Sequence, residues 1–383
     1  MKRQAALDGL RGCAILWVLL YHFVALPARE AAMSGSPGLL GFAGYGWVGV
    51  NLFFVLSGYL ITKGLVRGER DRLAFGDFWV RRAFRIVPAY ALLLLSFLAA
   101  RALWSASDPG AGRVFNSAIP LWSYAVFAQN LLMAPLSYLG NDWLRVLWSL
   151  AVEVQFYVFI SAALFLIPRR RTVPWLVALA LGSVAFRYAL YFTSESPDTA
   201  LVVLLPCRLD AFLLGGLAAL LPAPGPGGAG RLRSASAIAL VAACAAFLGF
   251  YSSGGFGGHT LLAVPLYYTV ISVGCVSLLD LCATGFRPLA WLLGSRPLVE
   301  AGRLSYFLYL FHMPFALVLF HVALGTAPAL GSARAALVMA AAFVAVWAAA
   351  WLSYAFMEEP LIRYSHTLLR RPRPGPAGSP GAG

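Results

Sequence analysis

Ten long apolar stretches limit what this chain can fold into more than any other feature of its sequence. Each is roughly 17–25 residues long, the length that a helix needs to cross a bilayer. The chain is 61% hydrophobic and 11% charged, whereas soluble domains are about half apolar and a quarter charged. The sequence therefore predicts an all-α, polytopic transmembrane helical bundle. Its spans are expected at residues 7–27, 46–66, 84–104, 148–167, 174–192, 199–221, 235–251, 260–282, 304–324 and 333–357.

Clusters of arginine and lysine predict how the bundle is oriented, because such clusters favour the cytoplasmic ends of spans. Arg85 and Arg169 belong to two of these clusters, and both lie in the cytoplasm only if the chain crosses the membrane an even number of times between them. The spans 84–104 and 148–167 give two crossings, and a full span at 119–134 would make three. The broken apolar piece 119–134 is therefore predicted to be re-entrant or interfacial, and both termini to be cytoplasmic. We expect one membrane domain over residues 1–362 and a disordered, basic, Pro- and Gly-rich cytoplasmic tail over 363–383.

Two ionisable residues interrupt the first apolar stretch, LDGLRGCAILWVLLYHF at residues 7–23. Arg11 and His22 are separated by about 16 Å along an α-helix and by about 20° around it, so both project from one face. Charges are costly in lipid, and we therefore expect both side chains to face a cavity lined by protein or water. Arg11 taken alone fits a snorkelling anchor equally well. His22 lies too far from the same interface for that explanation.

A pair of arginines and a carboxylate mark two later segments. Arg82 and Arg85, in FWVRRAFRIVPAY, share a helical face at a membrane surface. Paired guanidiniums suit a pyrophosphate, although charge alone favours a topology signal or contact with anionic lipid headgroups. Glu153, in WSLAVEVQFY, lies inside a span. An intramembrane carboxylate indicates either a functional group or a hydrogen-bonding group between helices.

Other polar side chains inside the spans are candidates for lining the cavity or for holding helices together. Arg208 and Asp210 have opposite charges and either neutralise one another or bind to other helices, and a structural role is favoured for them. The remaining candidates are Asn51, Ser57, Ser305, Tyr306, His312 and Glu358.

Several classes of function are not supported by the sequence. The formal charge of +14 resides mostly in short clusters between apolar runs, which is typical of membrane topology and not of a nucleic-acid-binding surface. No P-loop, G-x-S-x-G, H-E-x-x-H or dinucleotide motif is present. We therefore expect no nucleic-acid partner, no metal site and no bound cofactor, while membrane lipids surround the bundle.

Six of these motifs, in this order, resemble the acyltransferase-3 family of integral membrane O-acyltransferases, the O-antigen and exopolysaccharide O-acetylase type. They are the Arg11 and His22 pair, GVNLFFVLSGYLIT, the Arg82 and Arg85 pair, WSLAVEVQFY, CRLDAFLLGG and SYFLYLFHMP. The resemblance runs from Leu7 to near Pro360. The family commonly has Asp where this chain has Asn51, a second Glu at Val154 and Arg at Glu359.

The resemblance implies transfer of an acyl group, expected to be acetyl, from cytoplasmic acyl-CoA to a hydroxyl of a glycan or another hydroxylated acceptor. Acyl-CoA is then a co-substrate, and the inner (plasma) membrane is the expected location. Arg82 and Arg85 are expected to bind the CoA phosphates, with the pantetheine arm passing Arg11 towards His22. His22 is the expected general base, oriented by Glu153 or another polar group. A covalent acyl-histidine is the alternative mechanism.

A proton-coupled transporter or flippase is the alternative function from another class. Its proton relay would use His22, Glu153 and Arg208, and the intramembrane charges fit that relay equally well. The arginine pair and the other family motifs favour the acyltransferase.

Overall fold

The computed structural model describes residues 2–30, 39–67, 72–104, 111–220, 228–252 and 263–369, and this part of the chain contains α-helices and no β-strand. Among these residues two turns are π-helical, Tyr21–Ala25 and Tyr354–Glu358, and one is a 3-10 turn, Arg145–Leu147. The α-helices are α1 Lys2–Leu20, α2 Leu26–Glu30, α3 Leu39–Gly44, α4 Val48–Arg67, α5 Arg72–Leu103, α6 Ala111–Phe115, α7 Leu121–Ala125, α8 Gln129–Leu136, α9 Trp148–Leu166, α10 Arg169–Thr193, α11 Asp198–Val203, α12 Leu205–Leu220, α13 Gly228–Ser252, α14 Ala263–Ala283, α15 Arg287–Leu293, α16 Arg296–Leu324, α17 Ala333–Ser353 and α18 Glu359–Leu368.

Ten helical segments of the described chain are long and apolar enough to cross a membrane, which confirms the predicted number. The third begins at Phe75, before the predicted start, and the last continues to Leu368, beyond the predicted end. The piece 119–134 is divided between α7 and α8, and each is too short to cross. Its polar residues Gln129 and Asn130 are buried and donate hydrogen bonds to backbone carbonyls.

The C-terminal helix α18 extends past the predicted start of the tail at residue 363. Because α18 continues to Leu368, residues 363–368 are helical and not disordered. Tyr364 packs against Phe84 of α5, with ring centroids 5.8 Å apart, and this contact stabilises the additional turns. Residues 370–383 of the predicted tail lie outside the described residues.

Helices α1 and α16 cross at a point where both contribute glycine. A Cβ atom built on Gly12 would lie 2.0 Å from the carbonyl oxygen of Leu298, and one on Gly302 would lie 1.9 Å from that of Asp8. No side chain fits such a space, so the two backbones touch directly, as small residues allow in membrane helices. The crossing holds the first predicted site helix against the segment that contains His312.

A second glycine contact joins α4 to α12. A Cβ atom on Gly58 would lie 1.9 Å from the carbonyl oxygen of Phe212, and one on Gly215 would lie 2.0 Å from that of Val55. This close packing places the polar residues of α4 beside Arg208 of α12. The two glycine crossings thus position four of the helices that carry the predicted site.

Candidate active site

Two cavities lie between the helices that carry the predicted site residues. The first, here called the arginine cavity, has a volume of about 70 Å³. It brings together residues from α1, α4, α5, α9 and α16. Its polar lining consists of Arg11, Ser57, Arg82, Arg85, Ser149, Glu153, Tyr157, Ser305, Tyr306 and Tyr309. The predicted arginine pair, Arg11 and Glu153 therefore lie around one small space.

Glu153 is fixed at the wall of the arginine cavity by two hydroxyl groups. Ser57 and Tyr157 both donate hydrogen bonds to its Oε1, each 2.5 Å long. These bonds hold the carboxylate beside the arginines. The sequence predicts that Glu153 or another polar group orients His22. In the structure Glu153 lines the arginine cavity, whereas His22 lines a second cavity.

The three guanidiniums of the arginine cavity have no counter-ion in direct contact within the part of the chain that the structure describes. Among the described residues, no carboxylate oxygen lies within 4.0 Å of Arg11, Arg82 or Arg85. Arg82 instead lies over the rings of Phe78 and Tyr157, at 5.6 and 5.5 Å from their centroids. The buried Nε of Arg11 has no hydrogen-bond partner in the described part of the chain. This excess of positive charge suits an anionic group such as a phosphate.

The second space, here called the histidine cavity, has a volume of about 500 Å³. This is within the usual range of small-molecule sites, about 300–1,000 Å³. Its walls are mostly aromatic and aliphatic, and three charged residues contribute to them. The aromatic and charged lining residues are Tyr21, His22, Trp47, Arg145, Trp148, Tyr191, Asp198, Arg208, Tyr268 and Tyr309.

His22 reaches the histidine cavity from the π-helical turn that follows α1. In this turn the amide of Leu26 donates to the carbonyl of Tyr21, five residues back, a widened geometry that is frequent at functional sites. Nδ1 of His22 lies 3.0 Å from the carbonyl oxygen of Val18. A carbonyl can only accept, so Nδ1 carries the proton and Nε2 keeps its lone pair. The ring of the buried His312 lies 4.7 Å from the ring of His22.

Val50 and Tyr309 line both cavities, so the two spaces adjoin at these residues. The hydroxyl of Tyr309 is fixed by a 2.5 Å hydrogen bond with Ser149. Arg11 lines the first of these adjoining cavities and His22 lines the second.

Arg208 joins α12 to α4 and lines the histidine cavity. Its Nη2 donates a hydrogen bond to Oδ1 of Asn51, and the amide of Asn51 donates to the hydroxyl of Ser272 at 3.4 Å. The guanidinium also lies 4.3 Å from the centroid of the Tyr268 ring. Asn51 is fully buried and lines neither of the two cavities.

The partner of Asp210 is Arg187, a residue that the sequence reasoning missed. Hydrogen bonds of 3.0 and 2.9 Å join its guanidinium to the two carboxylate oxygens. The carbonyls of Cys207 and Pro265 accept two more, at 2.5 and 2.7 Å. Of the two alternatives for Asp210, binding to another helix is the one observed. Arg187 is a lone charge inside the predicted span 174–192, and that signal was sufficient to find it.

The remaining predicted residues are divided between the arginine cavity and the helix interfaces. Ser305 and Tyr306 line the arginine cavity. His312 and Glu358 line neither of the two cavities. Glu358 is buried at the second π-helical turn, where it accepts a 3.1 Å hydrogen bond from Ser353. Its contact is with its own helix.

The family model described as "Acyltransferase domain", that of the acyltransferase-3 family, matches residues 4–357. The chain belongs to this family. The matched region contains every residue that lines the two cavities, so both lie within the matched domain. With its ten apolar helices, this acyltransferase-3 chain is a multi-pass membrane protein. No solved structure matches it at a significant level.

Similar proteins have related names. A protein of Staphylococcus aureus (strain MSSA476), named "Putative O-acetyltransferase", is 26% identical over 84% of this chain and 51% of its own length. One from Bacillus subtilis (strain 168), named "Putative peptidoglycan O-acetyltransferase", is 31% identical over 50% of this chain and 29% of its own length. A "Putative membrane-bound transacylase" of Komagataeibacter xylinus is 28% identical over 82% and 73%. The chain thus spans about half the length of the Staphylococcus relative.

Proposed function

We propose that this chain is a membrane-embedded O-acyltransferase that moves an acyl group, acetyl, from cytoplasmic acyl-CoA to a hydroxyl of a glycan. Family membership supports acyl transfer, and the names of the relatives support an oxygen acceptor and, in one case, a glycan. The observation that carries the proposal is the pair of adjoining cavities, one rich in arginine and the other containing His22.

The arginine cavity is the donor site in this proposal. Arg82 and Arg85 bind the CoA phosphates through charge-assisted hydrogen bonds, and the unpaired Nε of Arg11 is available deeper in the bundle. At about 70 Å³ the cavity excludes bulky groups, so only a narrow part of the donor enters it in this proposal. The thioester then reaches the boundary formed by Val50 and Tyr309.

The histidine cavity is the acceptor site, because only its larger volume accommodates a sugar ring. Nε2 of His22 removes the proton of the acceptor hydroxyl while the hydroxyl oxygen attacks the thioester carbonyl carbon. The carbon–sulfur bond of the resulting tetrahedral intermediate then breaks. The imidazolium of His22 returns the proton to the CoA thiolate, which gives an O-acyl ester and free CoA.

Substitution of His22 tests this mechanism. Purified protein is incubated with isotope-labelled acetyl-CoA and a panel of neutral and acidic sugars, and O-acetyl products are measured by mass spectrometry. His22→Ala is expected to reduce product formation by about 100-fold or more, because a general base contributes at least that much. Retained turnover would remove His22 as the base.

The matched control is His366→Ala. His366 is exposed on α18, far along the chain from both cavity linings, and the variant is expected to keep wild-type turnover. Both variants should show the elution volume and melting temperature of the wild type in detergent. A loss of turnover in His366→Ala would show that the assay reports general damage rather than the chemistry of His22.

A further inference from the structure

Arg208 is a buried cation whose hydrogen-bonding capacity is largely unused. It is only 2% exposed although it lines the histidine cavity. Nη2 donates to Asn51, whereas Nε and Nη1 have no hydrogen-bond partner among the described residues. Its remaining contacts are ring faces, Tyr268 at 4.3 Å and Phe54 at 5.7 Å. None of these groups carries a negative charge.

Arg187 shows what a structural arginine looks like in the same bundle. It is 0% exposed, and its guanidinium bonds both oxygens of Asp210 and several carbonyl and hydroxyl oxygens. Asp210 lies two residues from Arg208, yet both of its oxygens are bound by Arg187. Arg208 forms no ion pair in the described part of the chain. It therefore differs from Arg187 in lacking a counter-ion.

The other charged residues of the histidine cavity do not neutralise Arg208. Arg145 is itself a cation and is paired with Asp142 at 3.2 Å. Asp198, the carboxylate of the lining, is exposed at the start of α11 and forms no ion pair with Arg208 among the described residues. A guanidinium that is buried without an anion is unfavourable, and a ligand that supplies an oxyanion relieves this cost. Charge-assisted hydrogen bonds from Nε and Nη1 would then bind that oxyanion.

We propose that the acceptor bound in the histidine cavity carries a carboxylate or phosphate group that pairs with Arg208, so that the acyltransferase acts on an acidic sugar unit. This rests on the proposed function. The aromatic walls contributed by Trp47, Trp148 and Tyr191 suit the flat face of a hydroxylated ring. His22 lines the same cavity and takes the proton of one ring hydroxyl, while Arg208 binds the acidic group and sets which hydroxyl faces the thioester.

Binding of matched sugar pairs to the purified full chain tests the proposal without acyl-CoA. The probes are glucose, glucuronate and glucose 6-phosphate, with galactose and galacturonate as a second series, and dissociation constants are measured by calorimetry in detergent. In at least one series we expect an acidic sugar to bind tenfold or more tightly than the neutral sugar. The preferred acidic member shows whether the group is carboxylate or phosphate. Equal binding of acidic and neutral members in both series would overturn the proposal.

Asn51→Asp is the decisive variant, because it gives Arg208 a carboxylate within the protein. The acidic sugar is then expected to lose its tenfold advantage. Asn116→Asp adds the same charge at an exposed site that does not contact Arg208 and is expected to keep the preference. Arg208→Gln provides a second test by removing the cation, and melting temperatures identify any variant that fails to fold. Wild-type preference in both folded site variants would refute the role of Arg208.

The experiment separates this proposal from the proposed function. Tight binding of an acidic sugar that is never acylated from acetyl-CoA would overturn the acyltransferase mechanism and leave the anion site standing. Acylation of neutral and acidic sugars with the same kcat/KM would support the acyltransferase mechanism and overturn the anion site. Acylation restricted to acidic sugars, lost in Asn51→Asp, would support both.

Discussion

At His22, a backbone oxygen and not an acidic side chain decides which nitrogen carries the proton. The carbonyl of Val18 holds Nδ1 at 3.0 Å and leaves Nε2 available to a substrate. Helical periodicity places His22 on a polar face, but it cannot reveal this contact, because YHFVA has no sequence feature that predicts a π-helical turn. The sequence identified a candidate site residue wherever a polar side chain interrupts an apolar stretch.

The arginine pair gives a prediction about substrate affinity. Arg82→Gln and Arg85→Gln are each expected to raise the KM for acetyl-CoA about tenfold while kcat changes little. The reason is that each substitution removes a hydrogen bond to a charged group, worth about 1.5–3 kcal/mol, and 1.4 kcal/mol corresponds to a tenfold change in affinity. Steady-state kinetics with varied acetyl-CoA measures both constants.

Arg81→Gln is the matched control for the arginine pair. Arg81 belongs to the same segment, but its side chain is exposed and lines neither of the two cavities. Its substitution removes the same charge and should leave the KM for acetyl-CoA within twofold of wild type. If all three variants raise the KM equally, the effect is one of surface charge, and the donor site proposed for the cavity is wrong.

The pairing of charged residues was the part of the site that the sequence could not provide. Arg208 and Asp210 are neighbours in sequence, but Asp210 pairs with Arg187 of α10. Which helix lies beside α12 depends on packing over the whole bundle, and hydropathy contains no information on that order. The sequence therefore identified buried charges and not their partners.

At the scale of helices, the site depends on glycine contacts that fix two pairs of elements. Gly12 and Gly302 let α1 and α16 touch, and Gly58 and Gly215 do the same for α4 and α12. The glycines are visible in the sequence, but glycine also occurs in spans where it makes no such contact, Gly182 and Gly249 being examples, so its presence does not tell which helices pair. The contacts explain why site residues far apart in sequence share a cavity.

Gly302→Ala tests the first of these crossings. Its Cβ would lie 1.9 Å from the carbonyl oxygen of Asp8, so α1 and α16 must separate, at a cost of about 1–3 kcal/mol. We expect a lower melting temperature in detergent and reduced acetyl transfer, because Arg11 and His22 shift relative to α16. Gly182→Ala on α10 is the control, since nothing lies within 4 Å of its Cβ position. A wild-type melting temperature for Gly302→Ala would contradict the tight crossing.

At the scale of the whole molecule, the number of spans could be predicted and the division of the interior could not. The length of an apolar stretch is a property of one segment, and it is set by the thickness of the bilayer. The boundary between the cavities depends on side chains from different helices, Val50 of α4 and Tyr309 of α16. The sequence placed Arg11 and His22 on one face of a helix, and the structure adds that they line two adjoining cavities with different volumes and charges.

The orientation of the bundle is a prediction on which the donor route depends. The rings of Phe75 and Phe165 lie 6.3 Å apart, so the start of α5, near the arginine pair, lies at the same end of the bundle as Arg170. The arginines at that end predict that it is cytoplasmic. A membrane-impermeant maleimide applied to intact cells should therefore label Glu195→Cys, at the other end of α10, and not Arg170→Cys. Both positions are exposed, and both should react after permeabilisation. The unsubstituted chain is the control that measures labelling of the native cysteines. The reverse pattern would place the arginine cavity on the side without acyl-CoA and exclude the proposed donor.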